Sequence, residues 1–188
     1  DEVGRGCIAG PVVAACVILP EQFSLPALTD SKLLNAKKRN LLAEEIKKQA
    51  LAWCIASASS KEIDQLNILE ASKLAIIRAI EGLKVKPTSI LIDGNMKFPT
   101  LSYNYHSVVN GDFLVPSISA ASIIAKVYRD ALMRELSHIY PGYGWESNAG
   151  YGTRKHLLAL DSIGITPEHR LSFSPVALAK SKCMDTAL

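Results

Sequence analysis

Apolar runs and amphipathic stretches alternate along the chain, and each change of period marks a new element. Pro11-Val12-Val13-Ala14-Ala15-Cys16-Val17-Ile18-Leu19 is a short, continuous run rich in β-branched residues, the pattern of a strand buried on both faces. An amphipathic helix is predicted over 35–49, and Ala52-Trp53-Cys54-Ile55-Ala56 reads as a second strand. The spacing of Ile63, Leu66, Ile68, Leu69, Leu74, Ile77 and Ile80 predicts one long helix over 60–83, ended by Gly82 and Pro87. Ser89-Ile90-Leu91-Ile92 is a compact strand that delivers Asp93 at its tip and turns on Gly94-Asn95. A further strand is predicted over 103–109, ending in the turn Asn110-Gly111-Asp112. Helices follow over 117–139 and 153–163, with the loop Pro141-Gly142-Tyr143-Gly144 between them. Strands lead and helices intervene, which predicts an α/β domain around one central sheet.

Composition narrows the classes. The 188 residues suffice for one compact domain with a small C-terminal appendage. A hydrophobic content of 48% with 21% charged residues describes a globular protein and argues against disorder. No apolar run reaches the ~18 to 20 residues that a bilayer span needs, so no membrane association is expected. A net charge of +3 and a pI near 8.6 are compatible with a polyanionic partner. Cys7, Cys16, Cys54 and Cys183 show no CxxC spacing and sit mostly among apolar residues. They read as reduced core residues of a cytoplasmic protein, not as a zinc site or a disulfide framework. Lys37-Lys38-Arg39 reads as a solvated helix face. No signal peptide is visible, and a start at Asp1 without methionine suggests a trimmed or renumbered chain.

The chemistry begins at the first residues, Asp1-Glu2-Val3-Gly4-Arg5-Gly6. Adjacent carboxylates repel unless a proton or cation lies between them, and a guanidinium between glycines can grip a phosphate that approaches the backbone closely. Asp93 and Asp112 add two acids at predicted strand ends, where an open α/β sheet gathers a site. Convergent carboxylates without a His or Cys cluster favour Mg²⁺ or Mn²⁺ over zinc. The plainer alternatives are a solvated chain end for Asp1 and Glu2, a turn residue for Asp93, and a turn or first-turn helix acid for Asp112.

The motifs Asp1-Glu2-Val3-Gly4-Arg5-Gly6, Thr29-Asp30-Ser31-Lys32, Leu66-Asn67-Ile68-Leu69, Leu91-Ile92-Asp93-Gly94-Asn95, Gly111-Asp112 and the stretch from Ile118 to Asp130 occur in that order. The series resembles the type 2 ribonuclease H family, specifically bacterial ribonuclease HII, from Asp1 to about Val176. The resemblance implies an RNase H-like fold with a mixed central β-sheet flanked by helices and a helical C-terminal region. It also implies a catalytic domain over 1–140, with 141–188 as a helical extension packed on it. The implied activity is cleavage of RNA in RNA/DNA hybrids and incision 5′ to single ribonucleotides in duplex DNA, leaving 3′-hydroxyl and 5′-phosphate ends. The partner is then nucleic acid, and a cytoplasmic monomer is expected.

By the same resemblance Asp1, Glu2, Asp93 and Asp112 are the catalytic carboxylates and the ligands of two divalent ions, Mg²⁺ or Mn²⁺. Two ions about 3.5 to 4 Å apart need shared acidic ligands to clamp a scissile phosphate, so the residue chemistry agrees. Asp130 is the rival ligand, but it falls ~20 Å along its predicted helix, between Lys126 and Arg134 at ion-pair spacing, and is assigned structure. Sensing of the 2′-hydroxyl, the group that separates RNA from DNA, falls to Gly4, Arg5 and Gly6 together with Tyr151. Lys32, Ser122 and Lys126 match positions near the nucleic-acid path, with capping or surface roles as the alternative. Thr153 can cap its helix and offer an anion site, while His156 reads as a lone structural histidine.

Several positions depart from the family pattern. Ala149-Gly150-Tyr151-Gly152-Thr153 stands where Lys-Gly-Tyr-Pro-Thr is usual, which removes a phosphate contact and loosens the loop. Leu33 replaces a second lysine. Leu171 replaces the second arginine in Arg170-Leu171-Ser172-Phe173-Ser174-Pro175, a segment read as packing through Phe173. The family has a strand ahead of the Asp-Glu pair, so a molecule starting at Asp1 would lack that strand and place an α-amino group beside the acids, which would put its activity in question. The tail 180–188 reads as a contact segment or as disorder. Competing functions are another metal-dependent nuclease on the same acids, which would cut duplexes without ribonucleotides, and a non-catalytic nucleic-acid-binding module, which leaves the gathered acids unexplained.

Overall fold

The computed structural model describes residues 1–28, 34–99 and 101–185. In chain order the elements are β1 (Glu2–Val3), β2 (Val12–Ile18), a 3₁₀ turn at Pro26–Leu28, α1 (Ala36–Gln49), β3 (Ala52–Ala58), α2 (Ser60–Leu66), α3 (Ile68–Glu81), β4 (Ile90–Asp93), β5 (Tyr105–Val108), α4 (Gly111–Leu114), α5 (Pro116–Ile139), α6 (Trp145–Asn148), α7 (Arg154–Ile163) and α8 (Ser174–Asp185). The chain divides into two compact units. The first is residues 1–3, 13–57 and 73–127, and the second is 4–12, 58–72 and 128–188.

In the first unit β1 pairs antiparallel with β2, Glu2 opposite Ala14 and Val3 opposite Val13, and β3 lies on the other side of β2. β4 and β5 pair in parallel, from Ile90 opposite Tyr105 to Asp93 opposite Val108. The expected mixed strand pairing is present, but among the described residues it forms two ladders. An apolar cavity of about 580 Å³ has walls from both β2 and β4, with Ile76 and Ile80 of α3 and Ile118 of α5. The core lies between β2, α1 and α5, where Val13, Ala15, Leu42, Ala43, Ile46, Ile123 and Ile124 are buried. Leu42, Ala43 and Ile46 fall on one face of α1, and burying each large side chain contributes about 1.5 to 3 kcal/mol.

The second unit is built on helices and aromatic rings. Met133, Trp145, Leu160, Val176 and Ala179 pack with Ile8 and Ala9. Tyr143 stacks on Trp145 with ring centroids 5.2 Å apart.

Three expectations need correction. The helix over 60–83 is two helices broken at Asn67, whose φ of 72° is left-handed and whose Oδ1 accepts the amides of Leu69 and Glu70 to start α3. Asp112 does not sit in a plain turn at a strand end. Left-handed Asn110 (φ 56°), two residues past the end of β5, is the N-cap of α4, and Asp112 lies in that helix's first turn. Of the two readings of the tail, disorder does not hold for residues 180–185, which belong to α8, a helix that packs through Val176 and Ala179. Cys7, Cys16 and Cys54 are free thiols, and burial raises the pKa of Cys16 and of Cys54. The side chain of Cys183 lies outside the described part.

Candidate active site

All four predicted carboxylates belong to the first unit, and each is half-buried. Pairing of β1 with β2 fixes the first two. The amino terminus of Asp1 donates to the Ala15 carbonyl at 3.0 Å, Ala15 N donates back to the Asp1 carbonyl at 2.9 Å, and Asp1 Oδ1 accepts the Glu2 amide at 2.7 Å. Oε2 of Glu2 is buried. Asp93 is the last residue of β4, and its Oδ1 accepts the Gly111 amide at 2.7 Å. That bond ties Asp93 to the residue before Asp112, so the tip of β4 and the start of α4 form one corner.

The donor set is all carboxylate oxygen, which suits a hard divalent cation. Among the described residues, however, no three His, Cys, Asp or Glu side chains stand close enough together to hold an ion. The strands bring Asp1 beside Glu2 and set Asp93 against the α4 corner. Ser122 and Lys126 lie half-buried on α5. Lys32 lies outside the described residues, with the rest of Thr29-Asp30-Ser31-Lys32 and Leu33.

The predicted ribose-sensing residues belong to the second unit. Gly4 is buried at φ +92°, while Arg5 and Gly6 are exposed. A Cβ on Gly6 would lie 3.9 Å from Cε1 of Tyr151, so loop and ring face one another. Tyr151 is 43% exposed, and its phenol is pushed above its ordinary range by burial first and then by Cys7. Gly152 leaves space that a side chain could occupy, since a Cβ there meets Ile8 at an ordinary 3.6 Å. Ala149 stands at a left-handed helix end with φ 48°, and its carbonyl accepts from Arg129 at 2.7 Å and from the Cys7 thiol at 3.5 Å. Its role here is carried by the backbone. Asp130 is half-buried on α5, and its carbonyl accepts from Arg134 Nε at 3.4 Å.

His156 is structural, as read, but not alone. Its Nδ1 lies 2.9 Å from the Tyr151 carbonyl, so that nitrogen carries the proton, and Nε2 accepts from Trp145 Nε1 at 3.1 Å and from His169 Nε2 at 3.0 Å. His169 Nδ1 in turn accepts the Thr166 amide at 2.9 Å. Both imidazoles are therefore neutral, and burial lowers the pKa of each, that of His169 to about 4. Thr153 caps α7 as expected. Arg129, His169 and Arg170 went unread as site supports. Arg170 is fully buried, and Phe173 lies beneath it with the guanidinium 5.2 Å from the ring centroid.

Comparison with known proteins places this arrangement. The chain is similar to the crystal structure of ribonuclease H2 from Pyrococcus horikoshii OT3, with a TM-score of 0.84, 23% identity, and coverage of 97% of this chain and 95% of that one. It is also similar to a chain of the PCNA:RNase HII complex from Archaeoglobus fulgidus, with a TM-score of 0.79, 27% identity, and coverage of 99% and 97%. The fold is therefore the RNase H-like fold of type 2 ribonucleases H. Residues 1–176 match the family model described as Ribonuclease HII. Ribonuclease HII of Desulfitobacterium hafniense (strain Y51) is 54% identical over 176 residues, which cover 94% of this chain and 67% of the relative. The chain belongs to the ribonuclease HII family and is a nuclease of the RNase H type, a phosphodiester hydrolase.

Proposed function

We propose that this protein is a divalent-metal-dependent endonuclease that hydrolyses the RNA strand of RNA/DNA hybrids and incises 5′ to ribonucleotides embedded in duplex DNA. The observation that carries the reading is the Asp93 corner, where a strand-end carboxylate is tied by the Gly111 amide to the helix of Asp112, in the same unit as Asp1 and Glu2. These four carboxylates would hold two Mg²⁺ or Mn²⁺ ions. Bound there, the ions supply Lewis acidity at both ends of an in-line displacement. The products carry 3′-hydroxyl and 5′-phosphate ends.

The chain's own groups then orient the substrate. Arg5 between its glycines accepts the backbone closely, and Tyr151 offers a ring for the sugar and a hydroxyl for the 2′-oxygen. Ser122 and Lys32 contact the phosphate path. Catalysis resides within 1–140, with 141–188 as an extension on it, and the protein works as a cytoplasmic monomer. The test is incision of a labelled DNA duplex carrying one ribonucleotide, beside an all-DNA duplex, with Mg²⁺, Mn²⁺ or EDTA. Metal-dependent cutting 5′ to the ribonucleotide is expected. Cutting of the all-DNA duplex would make it a DNA nuclease, and binding without turnover a recognition module.

A further inference from the structure

Arg129 and Arg170 are both fully buried within the second unit, and their guanidinium groups are spent on backbone carbonyls. Arg170 holds the first loop, with Nε on Gly10 at 2.9 Å, Nη1 on Arg5 at 3.0 Å and Nη2 on Gly4 at 2.7 Å. Arg129 holds two segments at once. Its Nε donates to Pro11 at 2.9 Å and Nη2 to Ala9 at 3.1 Å, while Nη1 donates to Ala149, two residues before Tyr151, at 2.7 Å. The same segments are stitched by the amides of Ile8 and Ala9, which donate to the Gly150 carbonyl at 2.9 and 3.3 Å. The fit over Arg129 is close enough that a Cβ on Gly4 would overlap its Nε, which is why position 4 is glycine.

We propose that Arg129 is a positioning residue that sets the spacing between the Arg5 loop and Tyr151, and through that spacing the discrimination of ribose from deoxyribose. The inference rests on the reading of Arg5 and Tyr151 as the ribose contacts. Three carbonyls in divergent directions need a rigid planar fork, which lysine with its single ammonium does not provide. Displacement of a recognition group by about 1 Å can cost on the order of 100-fold in rate.

The test is the ratio of affinities for a duplex with one ribonucleotide and for the matched all-DNA duplex, read by fluorescence anisotropy with Ca²⁺ in place of Mg²⁺. In Arg129→Lys the ratio should fall by about tenfold or more, because affinity for the ribonucleotide duplex falls much further than affinity for the all-DNA duplex. A loss of folded protein would instead lower both affinities together. Tyr151→Phe should lower the ratio too, and the double variant should be no worse than the worse single one, because both act on one contact. If Tyr151→Phe lowers the ratio and Arg129→Lys does not, Arg129 is not the positioning residue. If Tyr151→Phe leaves the ratio intact, the ribose-contact reading fails and the inference falls with it. Should Arg129→Lys not fold, Gly150→Ala decides, because its methyl would meet the Ala9 carbonyl at 2.5 Å and wedge the segments apart with Arg129 in place. A loss of ratio in Gly150→Ala supports the proposal, and an unchanged ratio overturns it.

Discussion

Asp93 is placed by the end of β4 and by the amide of Gly111, whereas the loop carrying Arg5 is gripped from within its unit by two buried guanidinium groups. The contrast follows from what each region must recognise. Carboxylates gathered at one place repel one another unless a proton or cation lies between them, so their placement rests on the backbone that carries them. A neutral hydroxyl imposes no such penalty, and the groups that read it can be fixed in advance on a packed support. The acid region is therefore expected to matter for chemistry, and the aromatic and arginine region for stability and selection.

The sharpest break of that contrast is Asp112→Asn. It should lower incision by about 1,000-fold, or about 4 kcal/mol of transition-state stabilisation, while costing at most about 1 kcal/mol of stability, the worth of an acid in a helix's first turn. Single-turnover incision and calorimetry read the two quantities separately. Retained activity would remove Asp112 from the site.

Trp145→Ala acts on the other region. The indole is 1% exposed, stacks on Tyr143 and donates to His156, so its removal leaves a cavity and takes away one of the two donors to His156 Nε2. Urea unfolding should show a loss of about 3 kcal/mol. A loss below about 1 kcal/mol would mean that the aromatic cluster does not support its unit.

The histidine pair gives the next effect, with a definite sign. His169 titrates near 4 in the folded chain against 6.5 unfolded, and His156 is lowered as well. Between those values the unfolded chain binds more protons, so stability is full above about 6.5 and is lost as pH falls toward 4. Protonating His169 at Nδ1 would point an N–H at the Thr166 amide, and protonating His156 at Nε2 would point one at Trp145. The expected loss between pH 7 and pH 4.5 is about 2 kcal/mol after allowance for solvent screening. His169→Gln should flatten this dependence in urea titrations, and an unchanged slope would show that other groups carry it.

The two regions also differed in how plainly the sequence announced them. β2, α1, β4 and α5 were readable because apolar period and caps agree along them, whereas the role given to the acids came from the order of the family motifs, each acid by itself fitting a turn, a chain end or a helix start equally well. The break at Asn67 was hidden by Leu66, Ile68 and Leu69, which continue one apolar face. A local signal was nevertheless present in Asn67-Ile68-Leu69-Glu70, a cap residue followed at the third position by an acid. The arginine frame could not be read at all, since its partners are carbonyls of Gly4, Ala9, Gly10, Pro11 and Ala149, and any residue type supplies a carbonyl. The weak amphipathicity of α8 left its period ambiguous beyond Pro175.

Helix caps offer the smallest effect and a like-for-like pair, one in each unit. Asn35 caps α1 in the first unit through its side chain, which accepts the Lys38 amide at 2.9 Å. Ser59 caps α2 in the second, where its hydroxyl accepts the Glu62 amide at 3.2 Å and Glu62 returns a bond to the Ser59 amide at 2.8 Å. Asn35→Ala removes the single side-chain acceptor and should cost about 1 kcal/mol. Ser59→Ala leaves the Glu62 carboxylate still able to accept the Ser59 amide, so its cost should be smaller, about 0.5 kcal/mol. Urea unfolding of the two variants decides the order. If Ser59→Ala proves the more costly, the reciprocal bond from Glu62 depends on the hydroxyl beside it, 3.1 Å away, and the box acts as one unit instead of two separable bonds.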